Sequence, residues 1–288
     1  MALTLRKRFS IYGKLIRLDR PIGIYLLLWP TLWALWLAGN GHPSIKNVLI
    51  FSLGVVLMRS AGCAINDFAD RDFDAHVERT KLRPLAQKLI KPWEAVAVAG
   101  GLTFIAFILV LYTNLYTILL SFAAAALAAT YPFMKRYTHL PQVVLGAAFS
   151  WSIPMAFAAE QNHIPAYSWL LYFASVIWTV AYDTQYAMCD REDDLKIGVK
   201  STAILFEKFD LTAIVAMQLI FLLLMFYVGK IINCGWSFWF GLTLALLLFA
   251  YQLKISFQRE PQKCLQAFLN NHWVGMAIFI GLLIQLTF

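Results

Sequence analysis

Two short acidic stretches carry the chemistry that this chain announces most clearly. The first reads Asn66-Asp67-Phe68-Ala69-Asp70-Arg71-Asp72-Phe73-Asp74 and continues through His76, Glu78, Arg79, Lys81, Arg83 and Pro84. Asn66, Asp70 and Asp74 are spaced i, i+4, i+8, so on one helix their oxygens project from a single face toward a common point. The second reads Tyr182-Asp183-Thr184-Gln185-Tyr186-Ala187-Met188-Cys189-Asp190-Arg191-Glu192-Asp193-Asp194. Asp190 and Asp194 repeat the i, i+4 spacing, and Asp183 falls two turns earlier on nearly the same face. Carboxylate and amide oxygens suit a hard cation, and magnesium is typically held by one or two carboxylates together with substrate phosphates. Two such faces opposed across a cavity would hold Mg2+ around one diphosphate, with Asn66, Asp70, Asp74, Asp190 and Asp194 as ligands.

Basic residues beside these acids supply the other half of a phosphate site. Tyr131 and Lys135, in Tyr131-Pro132-Phe133-Met134-Lys135-Arg136, again stand four apart at the end of an apolar stretch. A lysine ammonium is a compact charge suited to phosphate oxygens, which gives Lys135 a role in stabilising a departing phosphate, with Arg136 beside it. Arg17 and Arg20 precede the first apolar stretch, and Arg59 lies about two turns before Asn66. A guanidinium fork binds carboxylates well, so each of the three is a candidate holder of an acidic substrate. Arg59 is the strongest, because six basic residues crowd the first 20 positions and most of those serve as anchors.

The elements that position these residues belong in a membrane. The 288-residue chain is 60% hydrophobic and 14% charged, well above the apolar content of soluble domains. Stretches of about 20 apolar residues, the length that crosses a bilayer as helix, recur nine times: 21–38, 48–65, 95–112, 115–131, 141–158, 169–188, 211–228, 236–253 and 272–288. Only Thr113 and Asn114 separate the third from the fourth. Spanning elements must be helical, because lone strands leave backbone groups unpaired in lipid. The chain is therefore read as one all-α, multi-pass domain over 1–288, with no linker or low-complexity tract dividing it.

Charge placement fixes the topology. The formal charge of +8 would fit nucleic acid, but with nine spans 22 of the 24 Lys and Arg residues fall on one face, leaving Lys46 and Lys230 opposite. Basic residues mark the cytoplasmic side, so the amino terminus and both acidic connections are expected there, with the carboxy terminus periplasmic. The excess is a topology signal with a second use against anionic lipid or substrate, and nucleic acid is excluded as a partner. The basic start shows no cleavage site, so the first helix is expected to stay. Cys63, Cys189, Cys234 and Cys264 are too scattered for a metal site or disulfide framework. A transporter would spread charge through the bilayer depth, whereas here it gathers at one face.

At these residues the chain resembles the UbiA superfamily of intramembrane prenyltransferases. NDFADRDFD is similar to that family's NDxxDxxxD motif, DTQYAMCDREDD to its second motif ending in DxxxD, and YPFMK to its YxxxK element. RPIGIYLLLWPTLWALW, MRSAGCAIND, RTKLRPL, YPFMKRYTHLPQVVLGAAFSWSIPMAFAA and DDLKIGVKSTAILF look like the 4-hydroxybenzoate branch, so the similarity runs over almost the whole chain. The resemblance implies a nine-helix bundle around a central cavity, capped by cytoplasmic loops and opening sideways to lipid. It also implies transfer of a polyprenyl group from its diphosphate to the 3-position of 4-hydroxybenzoate, for ubiquinone synthesis; a bacterial inner membrane is expected over a mitochondrial one because no transit-like presequence is visible. Ionisation of the donor gives an allylic cation that the ring carbon ortho to the phenol attacks, and a carboxylate taking the phenolic proton would speed this. Asp190 is the first candidate for that base and Asp183 the second. No obligatory protein partner is expected, and the YPFMK lysine with paired DxxxD segments favours prenyl transfer over phosphoalcohol transfer.

Overall fold

The computed structural model describes residues 5–72 and 74–287. Along the chain run α1 (Leu5–Leu15), α2 (Ile22–Ala38), α3 (Ile45–Asp70), α4 (Pro92–Val110), α5 (Leu115–Thr130), α6 (Pro141–Ser150), α7 (Ser152–Gln161), α8 (Ala166–Met188), α9 (Arg191–Ile197), α10 (Thr202–Phe206), α11 (Asp210–Ile231), α12 (Trp236–Ser256) and α13 (Pro261–Thr287). No strand occurs among the described residues. Among the described residues, seven helical stretches are long and apolar enough to cross a membrane. Adding α2, 17 residues long, and α8, whose 23 residues include the polar run from Tyr182 to Gln185 in the last two turns, gives the expected architecture of about nine spans.

Local chemistry explains where these helices break. The Asn114 side chain accepts from the Thr117 backbone N–H at 2.9 Å and starts α5, so the third and fourth spans are separate helices. Within the fifth span, α6 gives way to α7 at Trp151. Pro154 has no N–H to offer Ser150 and its ring crowds that carbonyl. α3 continues past the expected end at 65 to Asp70, and α13 begins at Pro261 rather than at 272. Phe288, included in the expected last span, lies outside the described residues.

α8 runs through the centre, packed against α6, α11 and α13, while α2 packs against α3, α7 and α13. Trp33 and Trp178, both fully buried, meet at a centroid distance of 5.5 Å, and Trp178 stacks on Phe221 at 5.6 Å. Their ring nitrogens are satisfied across the bundle: Trp33 Nε1 donates to the Gly275 carbonyl and Trp178 Nε1 to Asn271 Oδ1, each at 3.0 Å. A side chain at Gly275 would collide with Trp29, its first carbon falling 2.5 Å from the indole. Apolar residues left outward on α5 and α11, among them Leu119, Phe122, Leu219 and Leu223, face the surroundings as lipid-facing residues do.

An amide chain links α8 to the last three spans. Asn271 Nδ2 donates to Gln185 Oε1 at 2.9 Å, Gln185 and Gln218 both donate to Gln252 Oε1, and Gln252 Nε2 donates to Asn270 Oδ1. Between apolar helices such bonds have few competitors and fix which faces meet. Asn271→Leu removes the acceptor of Trp178 and the donor to Gln185, leaving two buried polar groups unpaired. It is expected to cost about 1–3 kcal/mol, read as a lowered unfolding temperature of the detergent-solubilised protein.

Candidate active site

At one end of the bundle the polar ends of α3 and α8, the 3₁₀ turn Tyr131–Arg136 and the connections 71–91 and 189–201 surround a cleft of about 140 Å³. Asn66, Asp70, Asp74, Asp183, Asp190 and Asp194 all line it, with Tyr131 and Lys135. The two acidic stretches are therefore brought together from opposite halves of the chain. The helical spacing expected for them does not extend as far as the sequence suggested. α3 ends at Asp70, and Asp74 enters from a separate 3₁₀ turn, Asp74–His76. Likewise α8 ends at Met188; Asp190 precedes α9 and Asp194 lies within it, so Asp183 and Asp190 occupy no common helix face. Polar residues terminate both spans because the chain there leaves the apolar layer.

Cations are threaded between the carboxylates. Lys135 pairs with Asp70, and Arg83 reaches Asp74 at 2.8 Å, Asp67 at 3.3 Å and Asp70 at 3.9 Å. Arg79 Nε donates to both oxygens of Asp190, at 2.9 and 3.0 Å, and its guanidinium also binds the Tyr186 hydroxyl. Together with Glu78 N–H on Asp193, this ties the first connection to the second. Among the described residues no three acidic, histidine or cysteine side chains cluster closely enough to hold a metal by themselves. The donor set nonetheless suits a hard cation: it is all oxygen, Asn66 turns its Nδ2 to Asp70 at 3.0 Å and leaves its Oδ1 free to ligate, and buried Asp67 keeps an oxygen without any hydrogen bond.

A second, apolar cavity of about 190 Å³, lined by α3 to α7 and by Leu27 of α2, adjoins the cleft. Tyr131 lines both spaces. Arg59 stands in the apolar one, its guanidinium 5.6 Å from the Phe149 ring and without a carboxylate partner among the described residues. Gly23 makes its room, since a side chain there would place its first carbon 2.1 Å from Arg59 Nε. Arg17, Arg20 and Arg136 line neither space. Arg17 pairs with Asp67 at 2.6 Å, exposed Arg20 lies 3.8 Å from neighbouring Asp19, and Arg136 donates to the Ala69 carbonyl.

The sequence reading passed over Asp67, Arg79, Arg83, Tyr186 and Lys200. Arg79 and Arg83 stand four apart, as the carboxylates do, and that repeat was the available signal. Asp67 was overlooked because it falls between the regularly spaced ligands, where it serves instead as the buried counter-charge of Arg17 and Arg83.

An all-helical membrane bundle with two acidic connections closing a cation-rich cleft over an apolar cavity is the architecture of an enzyme that joins a charged head group to a lipid-soluble tail. Residues 27–279 match the model of the UbiA prenyltransferase family, and the chain belongs to that family. Relatives named 4-hydroxybenzoate octaprenyltransferase, from Hahella chejuensis and Azotobacter vinelandii, are each 59% identical, over 98% and 94% of this chain and 94% and 92% of their own. Among solved structures, a UbiA homologue from Aeropyrum pernix superposes with a TM-score of 0.80 at 25% identity, covering 91% of this chain and 97% of that one. A UbiA homologue from Archaeoglobus fulgidus, solved bound to GPP and Mg2+, gives 0.73 at 18% identity, covering 96% and 99%.

Burial raises two of the cleft carboxyls above the ordinary value of 3.8. Asp74 is pushed up to about 6, opposed by Arg83, and Asp194 to about 7, with the nearby Asp190 adding to the effect. Because the folded protein holds these protons more tightly than the unfolded chain, the stability they confer is complete below pH 3.8 and is lost as pH rises through about 6 and about 7. Metal-free protein is thus expected to melt at progressively lower temperature between about pH 5 and about pH 8, with Asp74→Asn/Asp194→Asn flattening the profile.

Proposed function

We propose that this chain transfers a polyprenyl group from polyprenyl diphosphate to the 3-position of 4-hydroxybenzoate, with the acidic connections binding the diphosphate through magnesium. The observation that carries this reading is the junction at Tyr131 between a cation-and-carboxylate cleft and an apolar cavity containing Arg59. The relatives' names supply the acceptor, and the GPP and Mg2+ in the Archaeoglobus structure support the donor class and metal.

Asn66, Asp70, Asp74, Asp190 and Asp194 would hold magnesium, which when bound neutralises the leaving diphosphate. Arg79, Arg83, Lys135 and Lys200 bring four further positive charges to the same cleft and stabilise the oxyanion that keeps the electron pair of the broken carbon–oxygen bond. The apolar cavity excludes water that would quench the allylic cation. Arg59 orients the acceptor's carboxylate there, placing the ring beside the neck. The ring carbon ortho to the phenol attacks the cation and then loses its proton, restoring aromaticity.

Asp183 fits the phenolic base better than Asp190. Both Asp190 oxygens are engaged by Arg79, whereas Asp183 makes no hydrogen bond or ion pair among the described residues and lines the cleft within the field of the Arg59 and Arg79 charges. The orientation that accompanies this reading puts the amino terminus and both acidic connections in the cytoplasm and the carboxy terminus in the periplasm of a bacterial inner membrane, following the placement of 22 of 24 basic residues. Arg17, Arg20 and Arg136 then serve as structural or anchoring cations.

Membranes containing the protein are expected to convert radiolabelled 4-hydroxybenzoate to an organic-extractable product when given polyprenyl diphosphate and magnesium. Asp70→Ala and Asp190→Ala should each lower this by about a hundredfold or more. Labelling that survives both substitutions contradicts the metal site. Absence of labelling by folded wild-type protein contradicts the acceptor. Arg59→Ala should raise the KM for 4-hydroxybenzoate about tenfold while changing kcat much less, the pattern of a lost ground-state contact.

A further inference from the structure

Two glycines on α3 present bare backbone to the apolar cavity. Gly54 and Gly62 both line it, and a side-chain carbon built on either meets nothing within 4 Å. This sets them apart from Gly23, Gly275 and Gly281, where the same carbon strikes a neighbouring helix or side chain. Close packing therefore does not account for glycine at 54 or 62. Each costs helix stability relative to alanine, and what the omission leaves is open volume.

The depth of each along the cavity follows from helix geometry. Asn66, in the diphosphate cleft, lies four residues from Gly62, twelve from Gly54 and sixteen from Ile50, the last cavity-lining residue of α3. At 1.5 Å per residue these separations are about 6, 18 and 24 Å. Three backbone bonds of an extended polypeptide cover about 3.5 Å, so a hydrocarbon main chain advances roughly 1.2 Å per bond. The eight main-chain carbons of a two-isoprene tail then reach about 10 Å, and the thirty-two of an eight-isoprene tail nearly 40 Å. The short tail passes Gly62 and ends before Gly54, while the long one passes both.

We propose that Gly54 is a length-selecting position of the donor site: its missing side chain keeps the deep half of the cavity open to long isoprenoid tails, and any bulk there restricts the enzyme to short ones. This rests on the reading that a prenyl diphosphate places its head in the cleft and its tail in the cavity. The two spaces adjoin at Tyr131, which lines both, so the tail's path runs past that residue. Because the tail touches Gly54 before and after reaction alike, the position acts on donor binding rather than on bond breaking.

The test measures binding of geranyl diphosphate and of an eight-isoprene diphosphate, with magnesium, to purified full-length protein in nanodiscs, so that it does not depend on the acceptor. Gly54→Phe is expected to weaken the long donor by about tenfold or more while leaving geranyl diphosphate within about twofold, and retained geranyl binding itself reports a folded protein. Gly62→Phe, inside the reach of both tails, should weaken both. Gly54→Leu, a smaller intrusion, should act in the same direction if the phenylalanine variant does not fold. Equal weakening of both donors by the Gly54 variants, or unchanged binding of the long one, overturns the proposal. Failure of wild-type protein to bind either diphosphate would instead remove the donor reading beneath it, and the length selection with it.

Discussion

A charge placed in hydrocarbon must find a partner or leave, and most of this molecule follows from that constraint. The largely apolar spans, about nine among the described residues, can carry a dense set of carboxylates and guanidinium groups only where they end, so both acidic connections lie at the same end of the bundle. There the groups neutralise one another: Asp67, Asp70 and Asp74 share Arg83 and Lys135, and Asp190 holds Arg79. The cleft is already a balanced network, in which an incoming charge would exchange partners rather than meet bare ones.

The same constraint separates the site's two halves. Below Tyr131 the walls are apolar and the guanidinium of Arg59 is the one charge among the described residues that line the cavity, without an ion-pair partner among the described residues. A cationic centre next to an apolar, water-poor space is where an aromatic carboxylate can be held and a reactive carbocation survive. The amide chain from Gln185 to Asn270 does comparable work on the far side of α8, fixing the rotation of the helix that carries Asp183 and leads into Asp190.

Much of this was legible in the sequence, for definite reasons. Span number follows from apolar length, which the bilayer constrains strongly. The residues of the cleft were legible too, since Asn66, Asp70, Asp74, Asp190 and Asp194 do line one space. Their helical register was not: i, i+4 spacing says nothing about whether the helix lasts long enough, and both helices end within the motif. Nor could the sequence show which cations of a basic connection fold inward. Arg17 and Arg20 looked equivalent, yet one binds buried Asp67 and the other stays at the surface. The amide chain was hidden because its members come from four spans and become a motif only when those spans pack.

The central claim is that both acidic connections jointly bind one metal-diphosphate head with the tail in the apolar cavity. The most direct measurement is a structure of this protein with manganese replacing magnesium and a non-hydrolysable prenyl thiolodiphosphate. The account predicts anomalous density touching at least one of Asn66, Asp70 or Asp74 and at least one of Asp190 or Asp194, with the tail running past Tyr131 along α3. Manganese held by one connection alone, or a tail lying outside the bundle, would contradict it.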